Sequence, residues 1–183
     1  MSDTAYPAPL RALHWLMAAI IFAALALGVW SRYLPRAPLR EDLLMIHKSL
    51  GVTALALVAL RVAVRLATAA PPYRPPLGAF NRFAAHAAHV LLYGAMIAAP
   101  LSGYVHSMAG GHGFRWFGLF PAPDLVPKSR AADLGAGRAH YVVAWTIGAL
   151  LAAHLAAVLW HSLVRRDWVL ARMWPGTGAP RRA

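Results

Sequence analysis

Nine histidines are spread over 183 residues, and four of them are spaced to act as two pairs. His140 and His154 lie fourteen residues apart. On a helix that is nearly four turns, so the two rings share a face and stand about 21 Å apart along the axis. The second span runs in the same sense as the fourth and brings His47 level with His140, while the first runs in the opposite sense and brings His14 level with His154. Two neutral imidazoles facing each other across a bundle suit the axial positions of a six-coordinate haem iron. Zinc asks for three or four close donors, with Cys, Asp or Glu commonly among them. This chain has no cysteine, and none of its six acids falls within an apolar stretch. The histidine pattern therefore favours two b-type haems over zinc or a cation-transport site.

The elements that must carry these rings are membrane spans. Hydrophobic residues make up 60% of the chain and charged residues only 13%, with long stretches that hold no charge at all. A hydrocarbon layer about 30 Å thick needs about 20 helical residues. Four segments qualify, at about 13–33 (apolar from Leu13 to Trp30), 43–66, 83–106 and 139–164. His14 opens the first, His47 the second, and His86 and His89 the third, which contains Pro100. The fourth contains His140, His154 and His161. The expected fold is an all-α integral membrane protein, one domain over 1–183, with four transmembrane helices bundled around two haems. No internal repeat is visible.

Breaker residues mark the connections. Pro35 and Pro38 lie between the first two spans, and Pro71-Pro72-Tyr73-Arg74-Pro75-Pro76 forms a stiff linker to the third. The longest loop is expected from Ser107 to Arg138. It opens with Gly110-Gly111-His112-Gly113, and its Phe114, Trp116, Phe117, Leu119 and Phe120 suit the membrane interface. The first ten residues carry no clear signal peptide, and the first span has no small-residue cleavage site at its end, so it reads as retained.

The net charge of +12 points in a soluble domain to nucleic acid. Here the basic residues flank apolar runs and act as topology signals, so no nucleic-acid partner is expected; the partner is the lipid bilayer. With the N-terminus inside, ten basic residues face the cytoplasm: Arg11, Arg61, Arg65, Arg74, Arg82, Arg165, Arg166, Arg172, Arg181 and Arg182. Eight face outward: Arg32, Arg36, Arg40, Lys48, Arg115, Lys128, Arg130 and Arg138. Four of the six acids (Glu41, Asp42, Asp124, Asp133) also lie outside. The expectation is a multi-pass protein of the bacterial inner membrane with both termini cytoplasmic. The absence of cysteine excludes disulfides, iron–sulfur clusters and covalently attached c-type haem.

Other residues fit the haem reading. Gly51 follows His47 by one turn, Ala18 follows His14, and Ala144, Gly148 and Ala152 lie between His140 and His154. Small residues serve close helix packing or leave room for a porphyrin, and the sequence does not choose between these. Arg61 and Arg65, one turn apart, suit either haem propionates or ordinary cytoplasmic anchoring.

Taken in order, these segments resemble the bacterial cytochrome b561 family, and within it the short four-helix di-haem branch that acts as superoxide:ubiquinone oxidoreductase (superoxide oxidase). The resemblance covers nearly the whole chain. It rests on His14-Trp15, on Met45-Ile46-His47-x-Ser49-x-Gly51 with Arg61 and Arg65, and on Ala85-His86-x-x-His89 followed by Tyr93 and Pro100. It continues with Trp116-Phe117-Gly118-Leu119, with His140, His154 and His161, and with Asp167, Leu170, Arg172-Met173 and Pro175. The resemblance implies two haem b groups, with His14, His47, His140 and His154 ligating the haem iron. It also implies electron flow from periplasmic superoxide to ubiquinone.

On that reading, the basic outer residues Lys48, Arg130 and Arg138 steer superoxide, a small anion. His86, His89 and His161, left over near the inner side, supply protons at the quinone. Two rival functions remain. One is an electron-transfer subunit linking a periplasmic donor protein, such as a dehydrogenase or a c-type cytochrome, to the quinone pool. The other is a haem-free transporter or structural membrane protein.

Overall fold

A computed structural model of the chain describes residues 5–71, 78–167 and 169–174. The first four residues, the linker residues Pro72, Tyr73, Arg74, Pro75 and Pro76, and Pro175, Arg181 and Arg182 lie outside the described residues. Four long helices form the body: α1 (Ala8–Tyr33), α2 (Pro38–Leu66), α3 (Ala79–Ala109) and α4 (Arg130–Leu159). All four are long and apolar enough to cross a membrane, the fourth counted through Val164. The fold is a four-transmembrane-helix bundle.

Each helix begins outside its apolar run. Prolines sit in the first turns of α1 and α2, where the missing N–H would have no helical partner anyway. At α4 the Ser129 side chain caps the helix by accepting from Ala132 N at 3.3 Å. The helix therefore starts at Arg130, and the loop expected over Ser107–Arg138 is shorter than the hydropathy suggested. Hydropathy counts only the residues in hydrocarbon, whereas capping lets a polar turn continue the helix into the interface.

Helix α3 stops in a Schellman motif. His112 N donates to Ser107 O at 2.8 Å, Gly111 N donates to Met108 O at 3.0 Å, and Gly111 takes φ +75°, a conformation that glycine adopts without strain. The chain then makes a small hairpin, β1 (Arg115–Trp116) against β2 (Phe120–Pro121), turning through Phe117 and Gly118 at positive φ. The hairpin docks on α2. Phe117 N donates to the Ser49 hydroxyl at 2.8 Å, and the Trp116 indole donates to the Thr53 hydroxyl at 3.2 Å. Ser49 is fully buried beneath it.

The bundle is two helical hairpins. Helices α3 and α4 pack most closely, then α1 and α2, and α2 against α3 joins the halves; α1 and α4 scarcely touch. The aqueous-type core is correspondingly thin, and large apolar side chains such as Phe22, Trp30, Leu60, Leu91, Trp145 and Leu159 point outward, as lipid-facing surfaces require. Helix α4 runs into a π-helical turn (Trp160–Val164), ends at Arg166 with φ +51°, and is followed by a 3-10 turn (Leu170–Arg172). This final segment folds back under α1. Tyr6 N donates to Arg172 O at 3.0 Å, the Trp15 indole to Met173 O at 2.8 Å, and Arg11 to Trp174 O at 2.9 Å. The molecule thus has a terminal end, where residues 6–15 meet residues 172–174, and a loop end.

Candidate haem sites

Helix α4 is the spine of the site. Asp133, His140, Ile147, His154 and His161 follow one another at intervals of seven residues, which is two turns and about 10.5 Å per step. Asp133 and Ile147 are the buried residues of this helix, so the ladder faces inward and Ile147 separates the two histidine levels.

At the loop end His140 meets His47 of α2, ring centroid to ring centroid 5.9 Å, with the planes at 81°. Each ring is tied through Nδ1. His47 Nδ1 lies 2.8 Å from Ala24 O on α1, and His140 Nδ1 lies 2.8 Å from Ala99 O on α3. A carbonyl can only accept, so Nδ1 carries the proton in both rings and each Nε2 keeps a free lone pair. A histidine that binds a metal through one nitrogen usually donates the other N–H to a carbonyl in this way.

At the terminal end His154 meets His14 of α1 at 6.4 Å, and a third ring, His89 of α3, stands 6.0 Å from His154. His89 Nδ1 donates to Ala85 O of its own helix at 2.6 Å. Among the described residues neither His14 nor His154 has a hydrogen-bond partner. Beside this cluster lies Arg61, only 9% exposed. Its guanidinium donates to Leu10 O at 2.7 Å and to the Tyr93 hydroxyl at 3.0 Å. Both partners are neutral, and among the described residues no carboxylate pairs with it. Arg65 instead turns to the helix end and donates to Thr68 O at 2.8 Å.

These residues fit the haem expectation on three observations. Two nitrogens that share a metal at about 2 Å each stand about 4 Å apart, which puts the centroids of facing imidazoles about 6 Å apart; both cross-helix pairs have that separation. The gap between α1 and α4 leaves space between the two halves. Among the described residues the buried Arg61 charge has no acidic partner, and a propionate would supply one. The loop-end donors form one facing pair and the terminal-end pair has His89 beside it, yet among the described residues no three His, Asp or Glu side chains converge on a point as a zinc site would need.

The remaining candidates are dispersed. Arg130 and Arg138 line an open groove of about 700 Å³ at the loop end, together with Arg32 of α1, His106, Asp133 and Tyr141. Asp133 is held by His106 at 2.7 Å and by Arg130 at 3.3 Å, and Arg32 lies over the Tyr141 ring at 4.8 Å. Lys48 is elsewhere: its ammonium donates to His112 O at 2.8 Å and faces the Phe114 ring, so it fastens the long loop. At the terminal end His161 Nδ1 meets Asp167 Oδ2 at 2.5 Å, and both side chains are largely buried. His86 is exposed on α3 with no hydrogen bond or ring contact among the described residues. Sequence reasoning missed the Ala24 and Ala99 carbonyls and the glycines that follow them. The repeated spacing Ala24-x-x-x-Gly28 and Ala99-x-x-x-Gly103 was its only trace.

A four-helix membrane bundle with two stacked histidine pairs along one helix defines the class of membrane-spanning b-type cytochromes. The comparison with known proteins narrows this. The chain matches the prokaryotic cytochrome b561 family over residues 5–176 and belongs to it; the family's bundle binds two haem b and carries electrons. It is similar to cytochrome b561 homolog 2 of Escherichia coli (strain K12), at 32% identity over 88% of this chain and 87% of the relative. Cytochrome b561 homolog 1 of the same organism is 30% identical over 89% and 93% of the two chains.

Proposed function

We propose that this chain moves electrons across the bacterial inner membrane, from a donor at the loop end, facing the periplasm, to ubiquinone at the terminal end, with both termini cytoplasmic. The observation that carries the reading is the placement of two histidine pairs, His47/His140 and His14/His154, on one helix at opposite ends of the bundle. Bound between these rings, two haems would supply the one-electron carriers. The protein's own part is to hold the rings, to screen the path with lipid-facing apolar side chains, and to equip each end for its reactant.

The loop end suits a small anion. Arg32, Arg130 and Arg138 surround the groove beside His140, and among the described residues Asp133 is the only acid lining it. Superoxide is the donor we assign: two superoxide anions lose one electron each to become oxygen, and one ubiquinone takes both electrons and two protons to become ubiquinol. At the terminal end His161, oriented by Asp167, is the group that holds and delivers a proton, with His89 and His86 on the neighbouring helix. Arg61 would pair with a propionate of the haem at that end, while Arg65 anchors the helix.

A second reading keeps the same path but takes the electrons from a periplasmic dehydrogenase or c-type cytochrome. The family match favours it, because it specifies electron transfer without specifying superoxide. One experiment separates the two: stopped-flow mixing of the purified protein with superoxide, then with a short-chain ubiquinone. Rapid appearance of a reduced b-type spectrum, followed by its loss on quinone addition, supports the enzyme. A protein that stays oxidised under superoxide but is reduced by a c-type cytochrome supports the carrier, and absence of a b-type spectrum after haem reconstitution sinks both.

A further inference from the structure

The loop-end histidines are held by a device that occurs twice. On α1 the Ala24 carbonyl takes the Nδ1 proton of His47, and Gly28, one turn on, lies against the same edge of the ring. A Cβ at Gly28 would stand 2.8 Å from His47 Cε1 and 3.1 Å from Nδ1. On α3 the Ala99 carbonyl takes the Nδ1 proton of His140, and a Cβ at Gly103 would stand 2.9 Å from both Cε1 and Nδ1 of that ring. In each case carbonyl and glycine are four residues apart on one helix, and the ring comes from the next helix along the chain. Gly94, also on α3, has nothing within 4 Å of its Cβ position.

Two contacts on one ring edge constrain more than one contact does. The carbonyl fixes the direction in which Nε2 points. The bare glycine backbone lets the Nδ1–Cε1 edge lie flush along the helix, which fixes the plane of the ring. Carbon atoms do not pack closer than about 3.5 Å without repulsion, so a methyl group at either glycine turns the ring or breaks its hydrogen bond. The result of both devices together is a pair of planes crossed at 81°.

We propose that Gly28 and Gly103, each with its alanine carbonyl, are positioning residues that hold the His47 and His140 planes near perpendicular and so set the electronic state of a low-spin haem iron between them. The proposal rests on the reading of these two histidines as axial ligands. An imidazole donates π density perpendicular to its ring plane. Parallel rings act on the same iron d orbital and split it from its partner; crossed rings act on both equally and leave them nearly degenerate. Crossed planes give the ferric iron one strongly anisotropic resonance at high g, and parallel planes give three resolved lines at lower g.

The test is electron paramagnetic resonance of the oxidised full-length protein in detergent, with haem content measured on the same samples. His154→Ala supplies the background, because it leaves the loop-end haem as the one to be read. The expected result is a high-g line in that background. Gly28→Ala and Gly103→Ala should each move the line to lower g with haem content unchanged, and Gly94→Ala should leave it in place. A three-line spectrum from the loop-end haem overturns the proposal, and so does a line that neither glycine variant shifts. Should the glycine variants lose the haem, the parent line decides alone: high g upholds the crossed planes, three lines overturn them. Absence of loop-end haem in the His154→Ala background would instead overturn the ligand assignment beneath the proposal.

Discussion

The two ends of the bundle hold their histidines by opposite means. At the loop end the backbone does it: each ring is clamped by a carbonyl and a glycine of the adjacent helix, and among the described residues the only ring contact of either histidine is with the other. At the terminal end His14 and His154 have no hydrogen bond among the described residues, and side chains crowd in instead. These are His89, the buried Arg61 with Tyr93, and below them the His161–Asp167 pair. A clamp made of main-chain atoms cannot titrate or swing, so the loop end is built for fixed geometry. Titratable side chains of several kinds near one pair of rings suit exchange of protons with a reactant. The difference teaches that two similar histidine pairs sharing one helix can be given different surroundings by what the other three helices bring.

The largest effect expected is loss of a haem, and it tests whether the ends are independent. His154→Ala and His14→Ala should remove the same haem, taking the content from about two per chain to about one, and His47→Ala and His140→Ala should remove the other. Haem quantitation with low-temperature spectra reads this directly; coincident losses for His14 and His140 would break the pairing.

Next is Arg61→Lys. It keeps the charge but loses the fork that reaches Leu10 and Tyr93, at a cost of about 2 kcal/mol for hydrogen bonds from a charged donor. Thermal unfolding should register that loss, and the spectral change should be confined to the terminal-end haem. A shift in the loop-end haem would mean that Arg61 serves the bundle as a whole.

A smaller, kinetic effect belongs to the groove. Neutralising Arg32, Arg130 and Arg138 together should slow reduction by superoxide about tenfold at low salt and much less at physiological ionic strength, where charges are screened beyond about 8 Å. Lys48→Gln alone should change the rate little, because Lys48 is engaged with the loop. Equal salt responses in wild type and triple variant would remove steering and favour a protein donor. Quinone is uncharged, so its reaction should not follow the same series.

Smallest is Ser49→Ala, which takes away the acceptor of Phe117 N. The expected cost is about 1 kcal/mol, seen as faster hydrogen exchange at the Phe117 amide with both haem spectra unchanged.

Much of this was legible in the sequence, for physical reasons. Apolar runs as long as a bilayer is thick leave one solution, and fourteen residues between His140 and His154 put the rings on one face at two depths. What stayed hidden depends on contacts between distant segments. Nothing local to Arg130 and Arg138 distinguishes a loop from a capped helix, so both were placed in a loop. Lys48 read as a steering charge because its tie to His112 spans 64 residues, and His89 read as a left-over residue because its approach to His154 depends on how α3 rotates. Arg32 shares the groove with Arg130 and Arg138 because α1 ends at the height where α4 begins.

The seven-residue ladder of α4 also limits how such a gene can change length. One residue inserted between His140 and His154 would turn everything beyond it by about 100° and lift it about 1.5 Å. His154 would leave His14, and Asp133 and His161 would no longer share a face, although the span would remain apolar and long enough to insert. Deletions act the same way in the opposite sense. A change of seven residues restores the face to within about 20°, but it moves the second histidine level about 10.5 Å, beyond the reach of α1. Length variation among relatives should therefore concentrate between Gly111 and Ser129 and in the chain after Arg166, and be absent from the fourteen-residue interval.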